Sequence, residues 1–297
     1  MQNLHTHTTY CDGALSVEEM IKAAIAKGCD SIGFSEHSFV AFDEIYSMTP
    51  EMTPMYVNEV NALKDKYKDM IEVFLGLERD YFTSYPAFSG NKSLRGGTEP
   101  HSMAGPADCA PLEFAEEYDF IIGSVHHVRK GDSYVTVDVG AKNQKKMADT
   151  YFGGDYYAMS EAYFETIADV VCKTSADIIG HFDLVAKYNF GGRLFDEAHP
   201  RYINAALGAM DEILKRHKLF EVNTGAMYRF NKPEPYPSAF LLKELCKRGG
   251  EVILSSDSHD AESICYKFNE MLELLKACGF RSVKRLTKEG FIDVGIH

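Results

Sequence analysis

The sequence predicts a parallel α/β barrel of the (β/α) type, and three observations predict it. Seven short apolar runs of strand length recur along the chain, helical stretches or longer excursions separate them, and a strong metal-binding side chain follows six of the seven. In such barrels the C-terminal strand ends form the active face, so ligands at those ends converge on one place.

The first run leads into His5-Thr6-His7 at the end of a first strand, where side chains at i and i+2 share a face, with Asp12 in the next turn. Ser16-Val17-Glu18-Glu19 is a capping-box pattern, and Val17, Met20, Ile21, Ala24 and Ile25 keep helical spacing until Gly28. Ser31 to Phe34 forms the second strand and ends in Ser35-Glu36-His37. A helix from about Met55 to Lys68 precedes the third, Val73 to Leu77, which ends in Glu78.

From Thr83 to about Glu117 the chain turns rich in Gly, Pro and Ser, a long excursion of the kind that often forms a lid. Phe120 to Val125 is the fourth strand and ends in His126-His127; a polar turn and a mostly helical stretch, Lys142 to Lys173, follow, breakable at Gly153-Gly154. Ala176 to Gly180 ends in His181-Phe182-Asp183. A helix from Pro200 to Lys218, with Ile203, Leu207, Met210, Ile213 and Leu214 as its apolar face, leads to Leu219 to Val222 and then Asn223. After a Pro-rich turn and a helix from Ala239 to Lys247, Val252 to Leu254 ends in Ser255-Ser256-Asp257-Ser258-His259. A last helix, Ala261 to Cys278, precedes a tail whose Phe291 to Val294 reads as a strand. No linker divides the 297 residues, so a single domain over 1–297 is expected.

Composition excludes several classes. With 45% hydrophobic and 25% charged residues and no low-complexity run, disorder and fibrous structure are excluded. No apolar run nears the ~20 residues of a membrane span, and the start has no basic segment followed by an apolar one, so a cytoplasmic location is expected. Seven cysteines without a C-x-x-C pair fit reduced thiols. A net charge of -13 argues against long nucleic acid and leaves room for a local basic pocket. Oligomeric state is not legible.

The candidate ligands are His5, His7, Asp12, His37, Glu78, His126, His181, Asp257 and His259. That set suits two or three divalent ions, and mixed imidazole and carboxylate ligands favour Zn, Mn or Fe. Each also has a structural explanation alone: His181 as a core histidine, Ser35 and Asp257 as helix caps, Glu78-Arg79-Asp80 as a solvated charge run. Their recurrence at successive strand ends is what argues for metal. Two such ions clamp a phosphate and supply a bridging hydroxide to attack it, with Glu78 and Asp257 balancing the metal charge. No G-x-S-x-G elbow or P-loop competes.

His5-Thr6-His7, Ser35-Glu36-His37, Gly123-Ser124-Val125-His126, Gly180-His181-Phe182-Asp183 and Ser256-Asp257-Ser258-His259 together resemble the motifs of the polymerase and histidinol phosphatase (PHP) superfamily over nearly the whole chain. With Gly76-Leu77-Glu78 and Glu221-Val222-Asn223-Thr224, the chain looks most like its histidinol-phosphate phosphatases. The resemblance implies a distorted seven-stranded barrel, TIM-like and of the PHP type. It also implies a trinuclear site: His5, His7, Glu78 and Asp257 on one ion; Glu78, His126 and His181 on a second; Asp12, His37 and His259 on a third. Asp12 stands where some relatives have histidine.

The implied activity is hydrolysis of the small phosphate monoester L-histidinol phosphate, with His259 or the third ion easing departure of the alkoxide. Arg193, Arg229 and Lys187 follow strand ends and are candidates for the substrate phosphate; Tyr85, Glu99, His101 and His127 are candidates for the pocket wall. Two other readings stay open: a PHP phosphoesterase for nucleotides or short oligonucleotides, and a non-catalytic, metal-stabilised module.

Overall fold

The computed structural model describes residues 1–43, 45–82 and 115–296. Among the described residues, seven strands form one sheet: β1 (Gln2–Asn3), β2 (Ser31–His37), β3 (Glu72–Asp80), β4 (Phe120–Ser124), β7 (Ile178–Ile179), β8 (Leu219–Asn223) and β9 (Glu251–Ser255), paired in that order and parallel throughout. Between β4 and β7 the chain adds a hairpin of β5 (His127–Lys130) and β6 (Ser133–Thr136), and a second hairpin of β10 (Ser282–Thr287) and β11 (Gly290–Gly295) follows β9. β1 and β9 share no ladder. Instead Thr6 bridges Ser258, through His7 N–H to the Ser258 carbonyl at 2.8 Å and Ser258 N–H to the His5 carbonyl at 3.0 Å. The Asn3 side chain staples the same seam, its amide donating to the His5 carbonyl at 3.0 Å and its oxygen accepting from Ser256 N–H at 2.8 Å. The seven-stranded barrel is thus nearly closed, as expected.

Strand periodicity explains what the barrel encloses. Leu4, Phe74, Phe120, Ile122, Ile178, Leu219, Ile253 and Leu286 pack together as the lower interior layer. Two or four residues further along the same strands, on the same face, stand Glu78, Ser124, Glu221 and Ser255, with Asp257 just past the end of β9. Each strand therefore passes from an apolar floor to a polar mouth. Phe120 fills the floor so completely that a Cβ on Gly76 would lie 2.2 Å from its ring.

The helices form the outer layer: α1 (Val17–Ala26), α2 (Thr53–Tyr67), α3 (Ala141–Phe152), α4 (Tyr156–Ala168), α5 (Val170–Thr174), α6 (Pro200–Leu214), α7 (Gly225–Phe230), α8 (Ala239–Lys247) and α9 (Phe268–Cys278). α1 carries its capping box, with Ser16 and Glu19 satisfying each other's backbone N–H. None of the described helices is long and apolar enough to cross a membrane.

Several expectations change. The stretch from Lys142 to Lys173 is three helices: Gly153 and Gly154 take positive φ, and Asp155 then caps α4 by accepting from Tyr157 and Ala158 N–H. A short helix, α7, precedes the Pro-rich turn, and the last helix begins at Phe268 rather than Ala261, because Cys265 and Lys267 adopt left-handed φ of 56° and 55° that a helix cannot propagate through. α6 stops at Leu214, and its buried face is Tyr202, Ala206, Ala209, Met210 and Ile213; Ile203, Leu207 and Leu214 sit at its margin. The tail strand Phe291 to Val294 lies within β11, whose partner β10 the sequence pattern did not reveal. Most of the Thr83 to Glu117 excursion, with Tyr85, Glu99 and His101, lies outside the described residues.

Candidate metal centre

All nine candidate ligands meet at the mouth of the barrel. His5 and His7 lie just past β1 rather than within it, with ring centroids 5.0 Å apart. Glu78 on β3 is the hub. Its Oε2 lies 3.3 Å from His5 Nε2, 3.6 Å from His7 Nε2 and 2.8 Å from His37 Nδ1. Its Oε1 lies 2.9 Å from His181 Nε2, 3.7 Å from His126 Nε2 and accepts from Ser124 Oγ at 2.6 Å. Gly180 is required beside it, since a Cβ there would stand 2.2 Å from Ser124 Oγ.

Across the mouth, Asp257 Oδ1 lies 3.4 Å from His7 Nε2 and 3.8 Å from His5 Nε2, while His259 Nε2 lies 3.2 Å from Asp12 Oδ1 and His37 Nε2 3.8 Å from the same oxygen. Donor atoms close enough to share an ion fall into groups: His5, His7 and Asp257; Glu78, His126 and His181; His7, Asp12, His37 and His259. Two further groups, His7 with Cys11 and Glu36, and His37 with Asp80 and His126, overlap them.

The chemistry of this donor set fits a cation. His5 Nε2, His7 Nε2 and Glu78 Oε2 are buried without a hydrogen-bond partner, and they face one another. Buried polar atoms are normally paired, so three orphans pointing at one spot mark a place for positive charge. Electrostatics agree. Burial alone would lower the His5 pKa, but Glu221, Glu78 and Asp257 raise it well above its ordinary value. Burial likewise opposes Asp80 and Glu78 at His126, and the carboxylates win, raising it to about 10. His7, by contrast, is lowered to about 3 by burial and by the neighbouring His37 and His259. Against burial, Glu78 is held well below the carboxylate range by His37, His5 and His126, and Asp257 by Arg229 and His5.

Behind the ligands stand residues the sequence reading did not single out. Glu221 holds His5 Nδ1 at 2.8 Å, and Asp80 holds His126 Nδ1 at 2.7 Å and accepts from Tyr46 at 3.0 Å. Asp80 is 4% exposed, so the Glu78-Arg79-Asp80 run is not a solvated cluster. The available signal was parity: Asp80 shares the face of Glu78, and Glu221 lies between the inward positions 219 and 223. Cys11 Sγ lies 3.3 Å from His7 Nδ1 and donates to Glu36 at 2.6 Å.

The three candidate substrate cations separate. Arg229 is in the centre: Nη2 donates to Asp257 Oδ2 at 2.9 Å and Nη1 to the Asp257 carbonyl at 2.6 Å. Lys187 is nearly buried and ion-paired with Asp138. Arg193 is exposed beyond the 3₁₀ turn Phe190–Gly192, and among the described residues no hydrogen bond or ion pair ties it to the cluster. His127 faces Asp43 at 3.3 Å, outside the ligand groups.

Comparison with known proteins agrees with this geometry. The PHP domain family matches residues 3–225. The chain belongs to the PHP family. Among PHP relatives, it is 25% identical to the probable histidinol-phosphatase of Schizosaccharomyces pombe, covering 96% of this chain and 89% of that one. It is 23% identical to the histidinol-phosphatase of Bacillus subtilis, covering 91% and 97%. The crystal structure of histidinol phosphate phosphatase from Lactococcus lactis, complexed with Zn, L-histidinol and phosphate, superposes with a TM-score of 0.65 at 22% identity, covering 98% of each chain. That likeness shows the PHP barrel.

Proposed function

We propose that this PHP protein is a metal-dependent phosphomonoesterase that hydrolyses L-histidinol phosphate to L-histidinol and phosphate, with residues 1–297 acting as one phosphoesterase unit. The observation that carries the proposal is the convergence of three donor groups at the barrel mouth, two of them built on Glu78 and Asp257. Support for the substrate comes from relatives named histidinol-phosphatase along nearly their whole length.

His5, His7, Glu78 and Asp257 would hold one ion, Glu78, His126 and His181 a second, and Asp12, His37 and His259 a third. Zinc is the first choice, given the donor set and the zinc in the Lactococcus relative, with Mn and Fe as alternatives. Divalent ions held there supply a water that ionises near neutral pH and positive charge against the phosphoryl oxygens.

The chain's own residues do the rest. Glu78, fully buried and drawn on by five imidazoles, keeps its charge and holds the two inner groups in register. Arg229 fixes Asp257 through a forked pair, contacts His259 Nδ1 at 2.6 Å and, at 23% side-chain exposure, brings positive charge to the mouth where a phosphate dianion would bind. Departure of the alkoxide would be eased by the third ion or, with that ion absent, by the imidazole of His259, at 20% the most exposed of the set. Lys187 reaches the substrate only by leaving Asp138, so its part is secondary, and Arg193 stands exposed at the surface.

The test is phosphate release from L-histidinol phosphate, nucleoside monophosphates and a small phosphodiester, with chelator and with Zn or Mn restored. Preference for histidinol phosphate, abolished by chelator and by His7→Ala, is expected. Faster turnover of nucleotides or the diester would move the protein to another branch of the PHP family; tight metal binding with no hydrolysis would make it a metal-stabilised module.

A further inference from the structure

Glu221 is at 0% exposure, yet four donors converge on its carboxylate. Oε2 accepts from His5 Nδ1 at 2.8 Å and from Ser255 Oγ at 2.5 Å. Oε1 accepts from the His181 backbone N–H at 2.6 Å and from Asn223 Nδ2 at 2.8 Å. An ionised carboxylate has about four lone-pair sites, so the set is full. We propose that Glu221 is the positioning residue of the metal centre, fixing His5 in the tautomer that ligates and tying the His5 group to the His181 group. The inference rests on the metal-binding reading above, not on the identity of the substrate.

The geometry gives the reason. With Nδ1 committed to Glu221, the nitrogen of His5 left to bind an ion is Nε2, which faces Glu78 and Asp257 at 3.3 and 3.8 Å. The same carboxylate holds the backbone at His181, and that anchor sets the ring that places Nε2 2.9 Å from Glu78 Oε1. One side chain from β8 thus disciplines ligands from two other parts of the barrel, on both sides of the shared Glu78. A buried anion behind an imidazole also makes it a stronger ligand. Glutamine has the right shape and the wrong chemistry: its amide nitrogen would face two of the four donors and accept from neither.

The experiment measures zinc affinity of the full-length protein by competition with a chromogenic chelator, for wild type and Glu221→Gln, with folding followed by circular dichroism. Affinity should fall about ten- to a hundredfold in a folded variant. Unchanged zinc affinity in a variant that is merely less stable would overturn the inference. If Glu221→Gln does not fold, the wild-type zinc protein labelled with ¹⁵N-histidine decides: His5 must show a protonated Nδ1 and a zinc-bound Nε2, and the reverse assignment overturns the proposal. A fall in zinc affinity alongside an enzyme that ignores histidinol phosphate would remove the proposed substrate and leave this role for Glu221 standing.

Discussion

Removing Arg229 should harm the metal-free protein far more than the metal-loaded one. Its Nη2 donates to Asp257 Oδ2 at 2.9 Å and its Nη1 to the Asp257 carbonyl at 2.6 Å and Oδ1 at 3.3 Å, with side-chain exposures of 23% and 10%. Taking one partner from a buried pair leaves an uncompensated charge and costs about 3–5 kcal/mol; the partial exposure of Arg229 places Arg229→Ala near the low end, about 3 kcal/mol. When zinc occupies the site, Asp257 has another cation beside it. What the variant then loses is chiefly the contacts of Nη1 to the Asp257 carbonyl and to His259 Nδ1, both at 2.6 Å, together about 1–1.5 kcal/mol. The two costs should therefore differ by about 1.5–2 kcal/mol, a factor of roughly 10–30 in the folding equilibrium. Urea unfolding of wild type and variant, once in chelator and once in saturating zinc, gives both. Equal losses would refute the idea that Arg229 and the metal neutralise the same carboxylate. Arg229→Lys should recover part of the metal-free loss, because it restores charge without the fork.

Two other outcomes concern the scaffold. Gly76→Ala should destabilise by about 1–3 kcal/mol through overpacking, since the new Cβ meets the Phe120 ring at 2.2 Å; Phe120→Leu in the same chain should relieve much of it, read by the urea midpoint. Burial lowers the pKa of His217 below its ordinary 6.5, against the opposing pull of the Asp177 and Leu219 backbone and the Asp177 charge. Below pH 6.5 the unfolded chain takes up a proton that the folded one refuses, so this contribution to stability is present above that pH and is lost as pH falls. His217→Gln, compared with wild type in chelator from pH 7.5 down to 5, should show a shallower loss; parallel curves would count against it.

The barrel was legible because its strands advertise themselves. Val73 to Leu77 and Phe120 to Val125 are apolar runs bounded by polar ends, and the ligands fall where parallel strands must present them. His5, His7, Glu78 and Asp257 could therefore be brought together from sequence, because one topology places them all at one mouth. What stayed hidden depends on tertiary context. β7 has two residues and survives only between its neighbours, and β10 is polar enough, Ser-Val-Lys-Arg-Leu-Thr, that only its pairing with β11 defines it. Glu221 and Asp80 were harder. A carboxylate behind a histidine has no sequence spacing of its own, because the two partners come from different strands. Lys187 and Arg193 were placed near the site by their distance from strand ends, a measure blind to Asp138, which takes the first, and to the exposure of the second.

The seam between β1 and β9 has a consequence for how the protein comes into being. Its closing contacts, Thr6 with Ser258 and Asn3 with Ser256, join residues about 250 positions apart, among the most distant pairings the chain can make and correspondingly slow to form. His5 and His7 lie on one side of that seam, Asp257 and His259 on the other. During synthesis, then, the groups that need Asp257 or His259 stay incomplete until the last strand of the sheet has formed. Glu78, His126 and His181 come together without the seam, whereas His5 and His7 meet Asp257 and His259 only across it. Shutting the barrel and acquiring a complete coordination sphere become one late event, and an ion held across the join would act as the clasp.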